Sequence, residues 1–396
     1  MKIQLSDLKM NTLLGSLLPN RLMIVGAVFS LISIFFYLQD PHHFYPAYLT
    51  SFVVFLSLTL GSLFFVLIMY LTRAGWGVVV RRVPECMMKN VGLMFLFFIP
   101  IIFGIHDLYH WSHHDAVAQD PLLQIKLPYL NSTFFVIRSF FFFGIWYWLS
   151  NRFFYNSVNQ DTDTSPNLTL HLQKISAVAM LLYAVTQSFG FIDYVMSLTP
   201  HWYSTIFGLY MFAGSIVCCL AVVSVMYMLL RRYGMLTNIV SVEHYHDLGK
   251  LLYGFNVFWS YIAFSQFFLI WYANVPEETV WFAEHFHGSW NSVAVLLAVG
   301  HFAIPFLFFM SRHAKRNLPF HCGMALWIVF IHIVDVYWLI NPTFFKDGFH
   351  LQWADITCLI AMGAFYFAFF FKRLNRVNLI PCNDPRLHES LKFKNY

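Results

Sequence analysis

Arg138, Asp193, His301, His332, Asp335 and Asp355 stand inside long apolar runs of the sequence, and His106, His201 and Tyr203 stand at the edges of such runs. An ionisable group in an apolar segment is costly, so each of these side chains needs a partner or a task. Carboxylates and imidazoles placed together accept and pass on protons near neutral pH. His332 and Asp335 are three residues apart and share a helix face, where the acid can hold the imidazole or share its proton. Asp193 lies eight residues before His201 across Pro200, and His106 ends another apolar run on the same side, so these three are expected to converge. The structural alternative is that Arg138 neutralises one carboxylate and the histidines bond backbone carbonyls, since ion-pair networks also use such residues.

Metal and haem chemistry are read from the same inventory. His106, His110, His113 and His114 have the i, i+4, i+7, i+8 spacing that stacks ligands on one side of a short helix, without the Cys or Glu pattern of a zinc site. His301 and His332 are the candidates for haem ligation between helices, but the topology below puts them at different depths. The six cysteines are scattered with no Cys-x-x-Cys pair, which argues against iron–sulfur ligation and a disulfide framework. The expectation is a chain with no metal ligands and no covalently bound cofactor.

The elements that must position these groups are membrane spans. The sequence is 59% hydrophobic, 20% aromatic and only 11% charged, outside the range of soluble domains. A net charge of +5 is too small to argue for nucleic acid. Taking about 20 mostly apolar residues per crossing, the sequence predicts an all-α polytopic membrane protein forming one integral membrane domain over residues 1–396. Its ten spans fall near 22–38, 46–72, 78–105, 130–150, 171–196, 202–231, 248–273, 287–311, 318–340 and 351–373. The first run lacks a small-residue cleavage pattern and reads as an uncleaved helix. Gly61 and Gly214 read as close helix contacts. With this count, all of the 24 basic residues except Lys126, Arg138 and Lys346 fall on one side, so both termini are expected in the cytoplasm. His and acidic residues gather on the opposite, outer side.

Buried titratable groups in such a chain suit a quinone site, whose headgroup needs proton acceptors, and equally suit a proton-coupled transporter. A transporter usually shows Gly/Pro-broken helix pairs in matching halves, and no matched breaks occur here. A helix scaffold in which every acid serves an ion pair is the third reading.

The stretch Phe191-Ile-Asp-Tyr-Val-Met-Ser-Leu-Thr-Pro-His-Trp-Tyr-Ser-Thr-Ile-Phe-Gly208 resembles the signature of the NrfD/PsrC-like membrane subunits of alternative complex III, a bacterial quinol:cytochrome c/oxidase oxidoreductase. The likeness continues in Gly75-Trp-Gly-Val-Val-Val-Arg-Arg, in Phe103-Gly-Ile-His-Asp-Leu-Tyr-His-Trp, in Ala263-Phe-Ser-Gln-Phe-Phe-Leu-Ile-Trp-Tyr-Ala-Asn-Val-Pro-Glu-Glu-Thr, in His301-Phe-Ala-Ile-Pro-Phe and in His332-Ile-Val-Asp-Val-Tyr-Trp. The resemblance implies two four-helix bundles plus an extra helix pair in the bacterial inner membrane. It implies no redox centre on this chain, with partners that include a sister membrane subunit, an iron–sulfur subunit and multihaem cytochrome c subunits. It also implies a quinone-binding or proton-conducting region at the periplasmic side, for menaquinone or ubiquinone. Tyr194 stands where the family usually has Trp, and Thr199 where it usually has Glu, which removes a carboxylate beside His201.

Overall fold

The computed structural model describes residues 8–395, so Lys2, which contributes to the basic bias, lies outside the described residues. Within them the secondary structure is helical throughout. The long helices are α1 (Leu18–Gln39), α2 (Pro41–Leu71), α3 (Val91–Phe103), α4 (Ser132–Asn159), α5 (Asn167–Tyr194), α6 (Phe207–Arg232) and α7 (Val242–Ala273). They are followed by α8 (Trp290–Leu297) and α9 (Ile304–Met310), joined by a π-turn at Ala298–Ala303, then α10 (Leu318–Ile340) and α11 (Trp353–Leu374). Among the described residues nine helical stretches are long and apolar enough to cross a membrane. The predicted span 248–273 is not one of them. It forms the continuous 32-residue helix α7, but Asn256, Ser260, Ser265, Gln266 and several Tyr and Trp residues dilute its apolar character.

Helix ends follow the local chemistry. The Asp40 side chain accepts from the His43 backbone N–H at 3.3 Å and Pro41 opens α2, while Asn131 and Asn317 cap α4 and α10 in the same way. Asn274, at φ 50°, ends α7 in the left-handed conformation. The stretch predicted as one span at 78–105 is broken into a 3-10 turn at Val78–Val80, a short helix at Arg82–Met88 and α3.

α2 is buried along nearly its whole length and α6 along most of it, and these two helices form the centre. Gly61 lets them touch: a Cβ there would stand 2.2 Å from the Ser215 carbonyl oxygen. Around this axis α2, α3, α4 and α5 pack together, α6 to α10 pack together, and α1 lies along α11. α1 has its apolar face turned outward, with Ile24, Leu31 and Leu38 exposed, as are Phe141, Leu181 and Leu307 elsewhere on the flanks. A belt of large exposed apolar side chains is what a bilayer covers.

At the basic end the arginines do more than mark a side. Arg81 bonds Glu85 and Asp384, each at 2.8 Å, while Arg82 bonds Glu85 at 3.1 Å and Asp161 at 2.7 Å, and Glu85 and Arg82 are fully buried. The network ties the 82–88 helix to the 161 turn and to the C-terminal segment. Glu85→Gln leaves two buried guanidinium groups short of a carboxylate, so a loss of about 3–5 kcal/mol is expected. Thermal unfolding in detergent is the measurement, and an unchanged midpoint would contradict the expectation.

Candidate functional site

The structure separates the sequence-predicted residues into three places. Asp193, buried near the end of α5, takes Arg138 Nε at 2.8 Å on one oxygen and Nη2 at 3.1 Å on the other. Arg138 Nη1 also donates to the Tyr129 carbonyl at 2.7 Å, and its guanidinium sits 3.8 Å over the Tyr129 ring. This is a closed, two-pronged ion pair. It has the form of the structural alternative, and the expected convergence of Asp193 with His201 and His106 does not occur. After Tyr194 the chain makes a 3-10 turn at Met196–Leu198, and Pro200 turns His201 outward to Asp120, with Nε2 to Oδ2 at 2.5 Å. His201 and the Leu122 and Leu123 amides hold the Asp120 carboxyl below its usual range.

His106, His201 and Tyr203 instead line a broad surface bowl of about 990 Å³ together with Glu277, Glu278 and Glu284. His106 bonds Ser112 Oγ at 3.1 Å, and its carbonyl accepts from His113 Nε2 at 2.8 Å. The four-histidine helical stack is absent because the chain breaks into a short helix at Ile105–Leu108, a 3-10 turn at His110–Ser112 and extended backbone at His113. Asp355, expected one turn into a span beginning near 351, is the third residue of α11 and accepts the Gln352 N–H at 2.8 Å, so it caps the helix.

The third place is a buried cluster. The candidate ligand atoms of His301, His332 and Asp335 all lie within 4.8 Å of one another, and all three residues are buried. The expected difference in depth between His301 and His332 is therefore wrong. Pro305 has no N–H to give the carbonyl four residues earlier, and the helix widens into the π-turn that carries His301. Trp327 Nε1 takes up the Gly300 carbonyl at 2.8 Å. The His301 ring stacks on Trp259 with centroids 3.6 Å apart.

Each partner adds a constraint. Tyr210, from the first turn of α6, donates its hydroxyl to Asp335 Oδ1 at 2.5 Å. Ser57 of α2 gives its hydroxyl hydrogen to the Val54 carbonyl at 2.8 Å, which leaves its oxygen to accept from His332 Nε2 at 2.9 Å. That network assigns the proton of His332 to Nε2 and the lone pair to Nδ1. Nδ1 of His332 and both ring nitrogens of His301 are buried without a hydrogen-bond partner among the described residues. No Lys or Arg among the described residues pairs with Asp335. Gly214, expected as a helix contact, faces the site: a Cβ there would stand 3.2 Å from the His332 ring and 3.6 Å from Trp259.

Tyr210 and Trp259 also line an apolar cavity of about 380 Å³, walled by Phe264, Phe267, Val295 and Trp338. Phe264 and Val295 are exposed on the flank, so the cavity opens toward the surrounding bilayer. The arrangement offers an apolar chamber with one tyrosine in its wall, and behind it a carboxylate and two imidazole acceptors. The same donor set is one that a divalent metal could use. Tyr210, Trp259 and Ser57 carried no sequence signal that set them apart from the chain's many aromatic and small residues, and Gly214 stood out only as a helix contact.

Fold and site together define an all-α, multi-pass membrane protein with a buried acid–imidazole cluster beside a lipid-facing cavity. No protein-family model matches the chain, and no curated protein matches it.

Proposed function

We propose that this chain is a membrane subunit of a bacterial respiratory quinol-oxidising complex of the alternative complex III type, in the ActF branch also called quinone-binding subunit 2, and that it handles quinol and protons. The observation that carries the reading is Tyr210: it lines the apolar cavity and donates to the buried, cation-free carboxylate of Asp335. A quinol whose tail lies in the bilayer enters between Phe264 and Val295 with its ring toward Tyr210. Oxidation releases two protons. Tyr210 accepts from the quinol hydroxyl as its own hydrogen moves to Asp335, and His332 Nδ1 and the acceptor nitrogen of His301 supply further places for a proton. The two electrons leave to iron–sulfur or haem centres on partner subunits, since this reading gives the chain none.

The finer architecture belongs to the same reading: ten spans with α7 included, the α2–α5 and α6–α10 groups as the two bundles, α1 and α11 as the extra pair, and both termini cytoplasmic. Reporter fusions after Asp115 and after Lys394 are expected to report opposite sides of the inner membrane. Agreement between them would sink the ten-span topology.

A photoreactive quinone tests the site in the assembled complex. Crosslinks are expected on α7 and α8 around Phe264 and Val295. Labelling confined to the separate cavity between α1, α2 and α11, at Tyr37, Tyr45 and Tyr48, would refute the assignment, as would no labelling of this chain.

A further inference from the structure

At the basic end of the bundle, on the flank formed by α3, α4 and α11, several cations stand without an acid. Lys89, in the link before α3, bonds the Asn151 side chain of α4 and faces the rings of Tyr155 at 4.7 Å and Tyr147 at 5.4 Å. Arg373 of α11 reaches the same link, donating to the Cys86 carbonyl at 2.7 Å and to Asn90 Oδ1 at 2.8 Å. Its charge bears on Lys89. Arg152, the residue after Asn151, is turned toward α5 instead and bonds His171 Nε2 at 2.7 Å. None of the three forms a salt bridge among the described residues. By contrast, Arg81, Arg82, Arg138, Arg316 and Arg386 are each matched to a carboxylate.

Two neighbouring cations that are partly withdrawn from water repel each other, and no carboxylate among the described residues pairs with either. The surrounding side chains show the medium. Tyr147, Trp148 and Tyr155 are each more than half exposed, and they form an aromatic girdle of the sort found where lipid headgroups meet hydrocarbon. Lys89 therefore sits at headgroup level with its ammonium beside Asn151 and facing the rings of Tyr147 and Tyr155. An anion that is anchored at this depth and carries acyl chains along the α3–α4 flank satisfies the charge and the apolar surface together.

We propose that Lys89 and Arg373 form a binding site for the phosphate of an anionic phospholipid, with Tyr147 and Tyr155 against its glycerol and upper acyl region. Basic pockets between spanning helices hold such headgroups, and each cation near the surface is worth about a fivefold change in binding. The site is remote from the acid–imidazole cluster and does not depend on the quinol reading.

The test uses the full chain in nanodiscs of phosphatidylcholine doped with phosphatidylglycerol, followed by native mass spectrometry of the lipids it retains. The parent is expected to retain phosphatidylglycerol over phosphatidylcholine. Lys89→Gln and Arg373→Gln should each weaken retention about fivefold, and the pair about 25-fold. Lys89→Arg, which keeps the charge, should retain the lipid and shows that a loss is not unfolding. Lys392→Gln, on the same side but off this flank, should match the parent. Equal retention of both lipids, retention unchanged in the double variant, an equal loss in Lys392→Gln, or displacement of the lipid by millimolar inorganic phosphate would each overturn the proposal.

Discussion

Asp335→Asn is expected to lower quinol turnover per assembled complex about 100-fold or more, while the complex still assembles. The size follows from the work asked of the carboxylate, because a positioned proton acceptor contributes on the order of 10²- to 10⁴-fold. Assembly is spared because Asn keeps the shape and its amide oxygen still accepts the Tyr210 hydroxyl, now 2.5 Å from Oδ1. No cation is stranded, since none pairs with Asp335. Tyr210→Phe should reduce turnover in the same direction by cutting the link between the cavity and the acid. Turnover and proton release, both normalised to assembled complex, are the measurements. Parental turnover in Asp335→Asn would remove the cluster from the mechanism and favour the scaffold reading.

The parts of this site that the sequence reveals are those tied together by helix periodicity. His332 and Asp335 share a face because they are three apart, and His301 draws notice as an imidazole in an apolar run. Their partners come from far along the chain, Tyr210 at a separation of 125 residues and Ser57 at 275. Nothing local distinguishes Tyr210 among 21 tyrosines. The depth of His301 was misread for a different reason: a uniform 1.5 Å rise per residue is assumed, and the π-turn before Pro305 breaks it. Chain proximity misled in the opposite direction around Pro200. Asp193 and His201 are close in sequence, yet one faces Arg138 in the bundle and the other faces Asp120 at the surface. Helix existence was legible almost throughout, because the runs are long and apolar. α4 extends nine residues past its expected end at 150 because polar residues continue the helix beyond the apolar run.

The Arg138–Asp193 pair sets the second large expectation, and its effect falls on assembly. Asp193 binds the guanidinium through both oxygens, and the aromatic rings of Tyr129 and Phe134 lie 3.8 and 4.4 Å from its carbon. Rings favour a cation but do not neutralise it. In Asp193→Asn one oxygen remains to accept, the other position becomes an amide that points its hydrogens at the guanidinium, and the buried charge loses its counter-ion. A loss of about 3–5 kcal/mol is expected, seen as a lower unfolding temperature in detergent and a reduced yield of complex. Complexes that do assemble should turn over quinol at the parental rate, because neither Arg138 nor Asp193 lines the cavity beside Tyr210. Replacing both partners by apolar residues of similar size, Arg138→Met with Asp193→Leu, should recover most of the stability, as a buried ion pair contributes little over a well-packed apolar contact. A double variant as unstable as Asp193→Asn would show that the carboxylate has a further partner. Asp193→Asn with parental stability but slow turnover would return Asp193 to the proton path and demote the cluster on α10.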